Sequence, residues 1–191
     1  ARLSYDDVIT RALFLIDSRT LKRKVTSSAL ADKYRSGDDF SQSSVDLIKS
    51  SIEILARAQQ LSKSGMKLSK GGAQTWLVFI SQILLDSPLI FRNDDIANFV
   101  FLFEGDKSKP FSSFESVSLK LKQRLFSSYE VRSASRVSDI LSVQVRDLVT
   151  WIYFFEYCRH SGAKIRGKLK REKIELFDFS ASELNDIYSI E

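Results

Sequence analysis

The stretch SDILSVQVRDLVTWIYFFEYC, residues 138–158, decides how this chain folds. Leu141, Val145, Leu148, Ile152 and Phe155 recur at the three-and-four spacing that lines up side chains on one face of an α-helix, and Trp151, Phe154 and Cys158 widen that face. Ser138 and Asp139 stand where a helix needs acceptors for its first N–H groups. A helix this long and this apolar predicts partners of the same kind packed around it. The chemistry then inverts. Ser161-Gly162 supplies a stop, and between Arg159 and Lys173 lie Arg159, Lys164, Arg166, Lys168, Lys170, Arg171 and Lys173 against one acid, Glu172.

On the N-terminal side the same periodicity repeats. Ser4 with Asp7 opens an amphipathic helix carrying Val8, Ile9, Ala12, Leu13 and Ile16 to about Ser18, followed by the basic residues Arg19, Lys22, Arg23 and Lys24. Ser28 to Arg35 reads as a short helix closed by the turn Ser36-Gly37-Asp38-Asp39. Ser43 with Asp46 caps a longer one bearing Ile48, Ile52 and Leu55, stopping near Ser62 with Gly65 beyond it. A loop rich in Gly, Ser and Lys spans 62–72. From Trp76 to Leu85 the residues are apolar almost all round, which predicts a buried helix.

Asn93 caps a further helix with Asp94 and Asp95 in its first turn, ending at Gly105, and a second loop follows over 104–111. Ser112 or Ser113 starts a helix carrying Phe114, Val117, Leu121 and Leu125, although the alternation Leu119 to Lys122 also suits a strand. Tyr129 to Ser135 reads as a connection with Arg132 and Arg136 exposed. After the basic tract, Ser180 with Glu183 caps a last short helix. The expected fold is all-α: a single compact multi-helix domain over 1–191, with about seven or eight helices and a short strand or hairpin left open over 164–179.

Composition sets the outer limits. A chain of 191 residues, 43% hydrophobic and with 14 Phe, is long and apolar enough for one sizeable core. Cys158 is the one cysteine, so an internal disulfide is excluded, and a reducing, intracellular setting, cytoplasmic or nuclear, fits best. The chain opens at Ala1 without an initiator Met or a signal pattern, which reads as a processed or excised form. The most apolar runs, Trp76 to Leu85 and Leu148 to Cys158, are each about half the roughly 20 residues that cross a bilayer, so no transmembrane segment is expected.

Charge points to a partner. The net charge is +5, and the tract from Arg159 to Lys173 holds +6 of it, leaving −1 for everything else. No capping or dipole rule asks for so many cations together, whereas phosphates of RNA or DNA do. The candidate anion-binding residues are therefore Arg159, Lys164, Arg166, Lys168, Lys170, Arg171 and Lys173, with Lys63, Lys67 and Lys70 from the 62–72 loop and help from Arg19 to Lys24. The simpler reading of Arg19 to Lys24 is a solvated helix end that complements the dipole. Tyr153 or Tyr157 would have to supply any platform for stacking bases.

Catalytic chemistry finds little footing. Gly71-Gly72 precedes a helix but is followed by Ala73-Gln74 rather than the Lys-Ser/Thr of a P-loop. Cys158 and His160, two apart on a helix, point to different faces, so Cys158 reads as a core thiol and His160 as a helix-end residue. The pairs Asp6-Asp7, Asp38-Asp39 and Asp94-Asp95 each suit a helix start or a turn better than a Mg²⁺ site. The expectation is a non-enzymatic interaction domain with no cofactor or metal that binds nucleic acid or another polyanion. The competing expectation is a helical adaptor that binds a protein partner or forms a homo-oligomer.

Overall fold

The computed structural model describes residues 2–63, 65–86, 91–105, 119–134 and 138–161. Over these residues the chain is a compact all-α domain of seven helices without a strand: α1 Arg2–Ser18, α2 Ser27–Arg35, α3 Gln42–Leu61, α4 Lys70–Asp86, α5 Asn93–Gly105, α6 Leu119–Ala134 and α7 Ile140–Ser161. The strand or hairpin left open over 164–179 and the helix expected after Ser180 lie outside the described residues, as does the stretch 106–118 with Phe114 and Val117.

Helix α4 is the axis. Every residue from Gly71 to Ser81 is buried, because two apolar clusters meet across it. On one side Trp76, Phe79, Ile80 and Ile83 join Ile54, Ala58, Phe99, Phe103, Phe126, Trp151 and Phe154. On the other, Leu77 and Val78 join Ala12, Leu15, Val25, Ile48 and Val143. The first cluster is mainly aromatic: the Phe79 ring lies 4.9 Å from Trp151 and 5.1 Å from Phe154, edge to face, the arrangement that ring quadrupoles favour. Both indoles also satisfy their N–H groups, Trp76 to Glu104 Oε1 at 2.6 Å and Trp151 to Gln82 Oε1 at 2.9 Å.

Cross-helix contacts give the directions. Thr75 meets Arg146 and Phe79 meets Trp151, so α4 and α7 run parallel. Arg132 meets Ser142 and Phe126 meets Tyr153, so α6 and α7 run antiparallel. Leu15 and Leu21 gather with Gln74, Thr75 and Val78, which brings the end of α1 to the beginning of α4.

Several boundaries differ from the sequence expectation. Helix α2 begins one residue before the expected Ser28 and is capped by Thr26, and Ser41, not Ser43, caps α3; in each case the hydroxyl accepts an N–H from three residues on. Gly71 and Gly72, expected in a loop over 62–72, are helical and buried in the first turn of α4. Leu119 to Lys122 is helical, as the main reading had it rather than the competing strand, but α6 continues through Ala134 where a connection was expected. Tyr129 is fully buried and Arg132 half-buried, and packing against α4 and α7 is what extends the helix there.

On α7 Ile152, Trp151, Phe154 and Cys158 are buried as expected, but in its first half the buried stripe is rotated from the expected one. Leu141 is 52% exposed and Val145 and Leu148 are half-buried, while Arg146, Asp147 and Thr150 are inside. Polar side chains on α7 find partners on α4, and those partners outweigh the apolar pattern in setting the helix rotation.

Candidate nucleic-acid interface

Lys63, Lys67 and Lys70 are all exposed, and none has an acidic partner among the described residues. Met66 and Leu68 pack against the aromatic cluster, which holds the segment between α3 and α4 onto the bundle and leaves the intervening Lys67 in solvent. Lys70 is the first residue of α4.

The glycine-led start of α4 is a packing device. A Cβ on Gly71 would lie 2.7 Å from the Ser133 carbonyl oxygen and 2.9 Å from its Cα, so only glycine lets the beginning of α4 come this close to the end of α6. Ser69 caps the turn: its Oγ accepts the Gly72 N–H at 3.0 Å and its carbonyl accepts the Ala73 N–H at 2.9 Å. The space a phosphate would need on that side is filled by α6 backbone.

Arg159 sits in the last turn of α7, with its side chain outside the described residues. It lies thirteen positions beyond Arg146, about 20 Å along a helix axis. Because α4 and α7 are parallel, the exit of α7 and the Lys70 end of α4 stand at opposite ends of that pair. Lys164, Arg166, Lys168, Lys170, Arg171 and Lys173 lie outside the described residues, as does the side chain of His160.

Tyr153, one of the two residues that would have to supply a stacking platform, is closed to bases. Its ring is 2% exposed, packed 4.7 Å from Phe126 and 5.4 Å from Phe103, and burial raises its hydroxyl pKa well above the usual value. Tyr157 is half-buried and stacks on Phe154. Cys158 is a core thiol, pushed up to about 12 by burial, so it carries almost no thiolate near neutral pH. Of the aspartate pairs, Asp7 binds Arg11 at 2.9 Å, Asp94 binds Arg57 at 3.0 Å and Asp95 binds Arg92 at 3.3 Å. No three His, Cys, Asp or Glu side chains converge among the described residues.

Sequence reasoning missed a buried polar cluster. Arg146 is fully buried, and its guanidinium donates to Thr75 Oγ1 at 2.8 Å, to the Arg132 carbonyl at 2.7 Å and to Gln74 Oε1 at 3.3 Å. Burial brings its pKa down to about 10, which leaves it charged at neutral pH. Arg146, Thr75 and Gln74, with Asp147, Leu21 and Val143, line a cavity of about 10 Å³, room for one water at most and not for a metabolite. The cluster ties α4, α6 and α7 together and does not resemble a catalytic site.

Fold and surface thus define a compact all-α domain with exposed cations around the start of α4 and a basic tract following α7. No helix among the described residues is long and apolar enough to cross a membrane. No protein-family model, curated protein or solved structure matches the chain.

Proposed function

We propose that this chain is a non-catalytic helical interaction domain that binds a polyanion, namely the phosphates of RNA or DNA, through the basic tract Arg159 to Lys173. One observation carries the reading: the tract concentrates +6 of charge in a chain whose remainder sums to −1. Lys63, Lys67 and Lys70, exposed and without acidic partners among the described residues, add to the electrostatic attraction. With Tyr153 buried, such binding rests on phosphates rather than on stacked bases, so weak sequence preference goes with it. A lone buried cysteine is compatible with the reducing compartments where nucleic acid resides.

The test is an anisotropy titration of mixed-sequence RNA and DNA at two salt concentrations, comparing wild type with the Lys168→Ala/Lys170→Ala/Arg171→Ala variant. Three lost phosphate contacts should lower the log–log salt slope on duplex DNA by about 2.7. Salt-insensitive binding, or equal slopes in the two proteins, refutes the reading.

A second reading has its own observation. Val131, 63% exposed near the end of α6, and Leu141, 52% exposed near the start of α7, stand at the same end of that antiparallel pair. An adaptor or self-associating domain would cover such side chains. Light scattering across a concentration series separates the two readings, since self-association through Val131 and Leu141 should persist at high salt and weaken in Val131→Asp.

A further inference from the structure

We infer that the connection from Arg19 to Lys24, together with Lys70, forms a preformed contact surface for the phosphate backbone of duplex nucleic acid, in addition to the basic tract. This rests on the polyanion reading and extends it to a second place on the molecule. Arg19, Lys22, Arg23 and Lys24 are exposed, and none has an acidic partner among the described residues. The neighbouring acids are already engaged: Asp17 with Ser41 and Lys33, and Asp7 with Arg11.

The loop is held at several points. Leu21 packs where Gln74, Thr75, Val78 and Val143 meet, and Val25 is fully buried with its carbonyl accepting from Arg11 Nη1. Between these anchors the Lys22 N–H donates to Thr20 Oγ1 at 3.2 Å. Cations on an anchored loop lose less freedom on binding than cations on a free one. Lys70 joins them through α4: it lies one turn before Gln74 on the same stripe, and Gln74 lines the same small cavity as Leu21.

Arg19 supplies an independent argument. It takes a left-handed conformation, φ 49°, just past the end of α1, a position where glycine is relaxed and an arginine is strained. Its N–H donates to the Ile16 carbonyl at 3.2 Å, a bond any residue except proline could make. The strain therefore accompanies a side chain that no ion pair among the described residues uses, as expected when the guanidinium serves an outside partner.

Duplex phosphate fits this surface better than the alternatives. Segments that lie on membranes pair their cations with exposed Trp, Phe or Leu, whereas Leu21 is half-buried in the bundle and 19–24 contains no aromatic. The missing aromatic also removes the stacking that favours single strands.

The experiment titrates a labelled mixed-sequence duplex DNA, over a range of salt, with the full chain, with Lys22→Ala/Arg23→Ala/Lys24→Ala and with Arg19→Gly. The triple variant should lower the log–log salt slope by about 2.7 and Arg19→Gly by about 0.9. Arg19→Gly should keep or raise the melting temperature, so its loss of binding cannot come from unfolding. Unchanged slopes in both variants overturn this inference. If binding is lost only in Lys168→Ala/Lys170→Ala/Arg171→Ala, the inference fails while the tract reading stands. If wild type binds RNA but not the duplex, the inference fails while the tract reading stands; if it binds neither, both fail. Binding to phosphatidylserine vesicles but not to duplex, lost in the loop variants, also overturns it in favour of a lipid surface.

Discussion

Arg146 Nε donates to Thr75 Oγ1 at 2.8 Å across a fully buried contact, so a charged group on α7 is held inside the bundle by hydrogen bonds to neutral oxygens of α4 and α6. Removing the guanidinium takes a donor from Gln74 Oε1 and the Arg132 carbonyl together, while the Thr75 hydroxyl keeps its bond to the Gly71 carbonyl at 2.8 Å. Arg146→Ala should therefore cost about 3–5 kcal/mol in urea unfolding, combining lost volume with unsatisfied polar atoms. Arg146→Met restores much of the volume and should cost less. A loss under about 1 kcal/mol for the alanine variant would show that the cluster relaxes or hydrates instead.

This same contact marks where sequence reasoning stops. Periodicity located α1, α3, α4, α5 and α7, because each buries an apolar face large enough to dominate its pattern. It misjudged the rotation of α7 because hydrophobicity assigns Leu141 to the core and Arg146 to water, and only the partners on α4 reverse that. It read Gly71 as loop because a glycine required for close helix approach looks the same in one dimension as a glycine required for a turn. At the candidate site, the cations were visible in the sequence. Their grouping was not, since Leu21 and Gln74 come to line one cavity only through the tertiary fold.

The two glycines that open α4 make a paired test. Gly71→Ala places a methyl against Ser133 backbone at 2.7 Å, which no side-chain rotation can relieve, so α4 and α6 must separate at a cost of about 1–3 kcal/mol. Gly72→Ala meets only Ser69 Oγ at 3.2 Å and Tyr129 Oη at 3.7 Å, and its gain in helix propensity, about 1 kcal/mol, offsets the crowding. Thermal melts should show Gly71→Ala clearly lowered and Gly72→Ala near wild type. Equal melting temperatures would contradict the close approach.

Asp17 should set part of the acid limb of stability. Its Oδ1 accepts from the Ser41 hydroxyl at 2.8 Å and the Ser41 N–H at 3.0 Å, and its Oδ2 pairs with Lys33 at 3.2 Å, tying α1 to the cap of α3 and to α2. Burial alone would raise this carboxyl, but the bonds from Ser41, Lys33 and Ser44 outweigh it and bring the pKa from 3.8 down to about 2. A depressed folded pKa adds stability that is present above the unfolded value and lost as pH falls from about 4 to about 2. Solvent at this partly open site reduces the effect to on the order of 1 kcal/mol. Asp17→Asn should lose that increment at pH 7 and show a flatter acid limb in a series of unfolding curves. An unchanged limb would mean that the network holds no preference for the charged form.

Cys158 gives the reverse sign at alkaline pH. Burial among the α5 and α7 aromatics raises its thiol from 9.0 to about 12, so the unfolded chain ionises first. Stability that is complete below pH 9 should decline as pH rises through that window toward 12, and Cys158→Ala should lack this part of the decline. The thiol should also resist a disulfide reagent near pH 8 in the native protein and react at the rate of opening once denaturant is added. Rapid labelling of the native chain would mean that the C-terminal half of α7 opens readily, and the basic tract would then be attached to a mobile helix end rather than to the packed core.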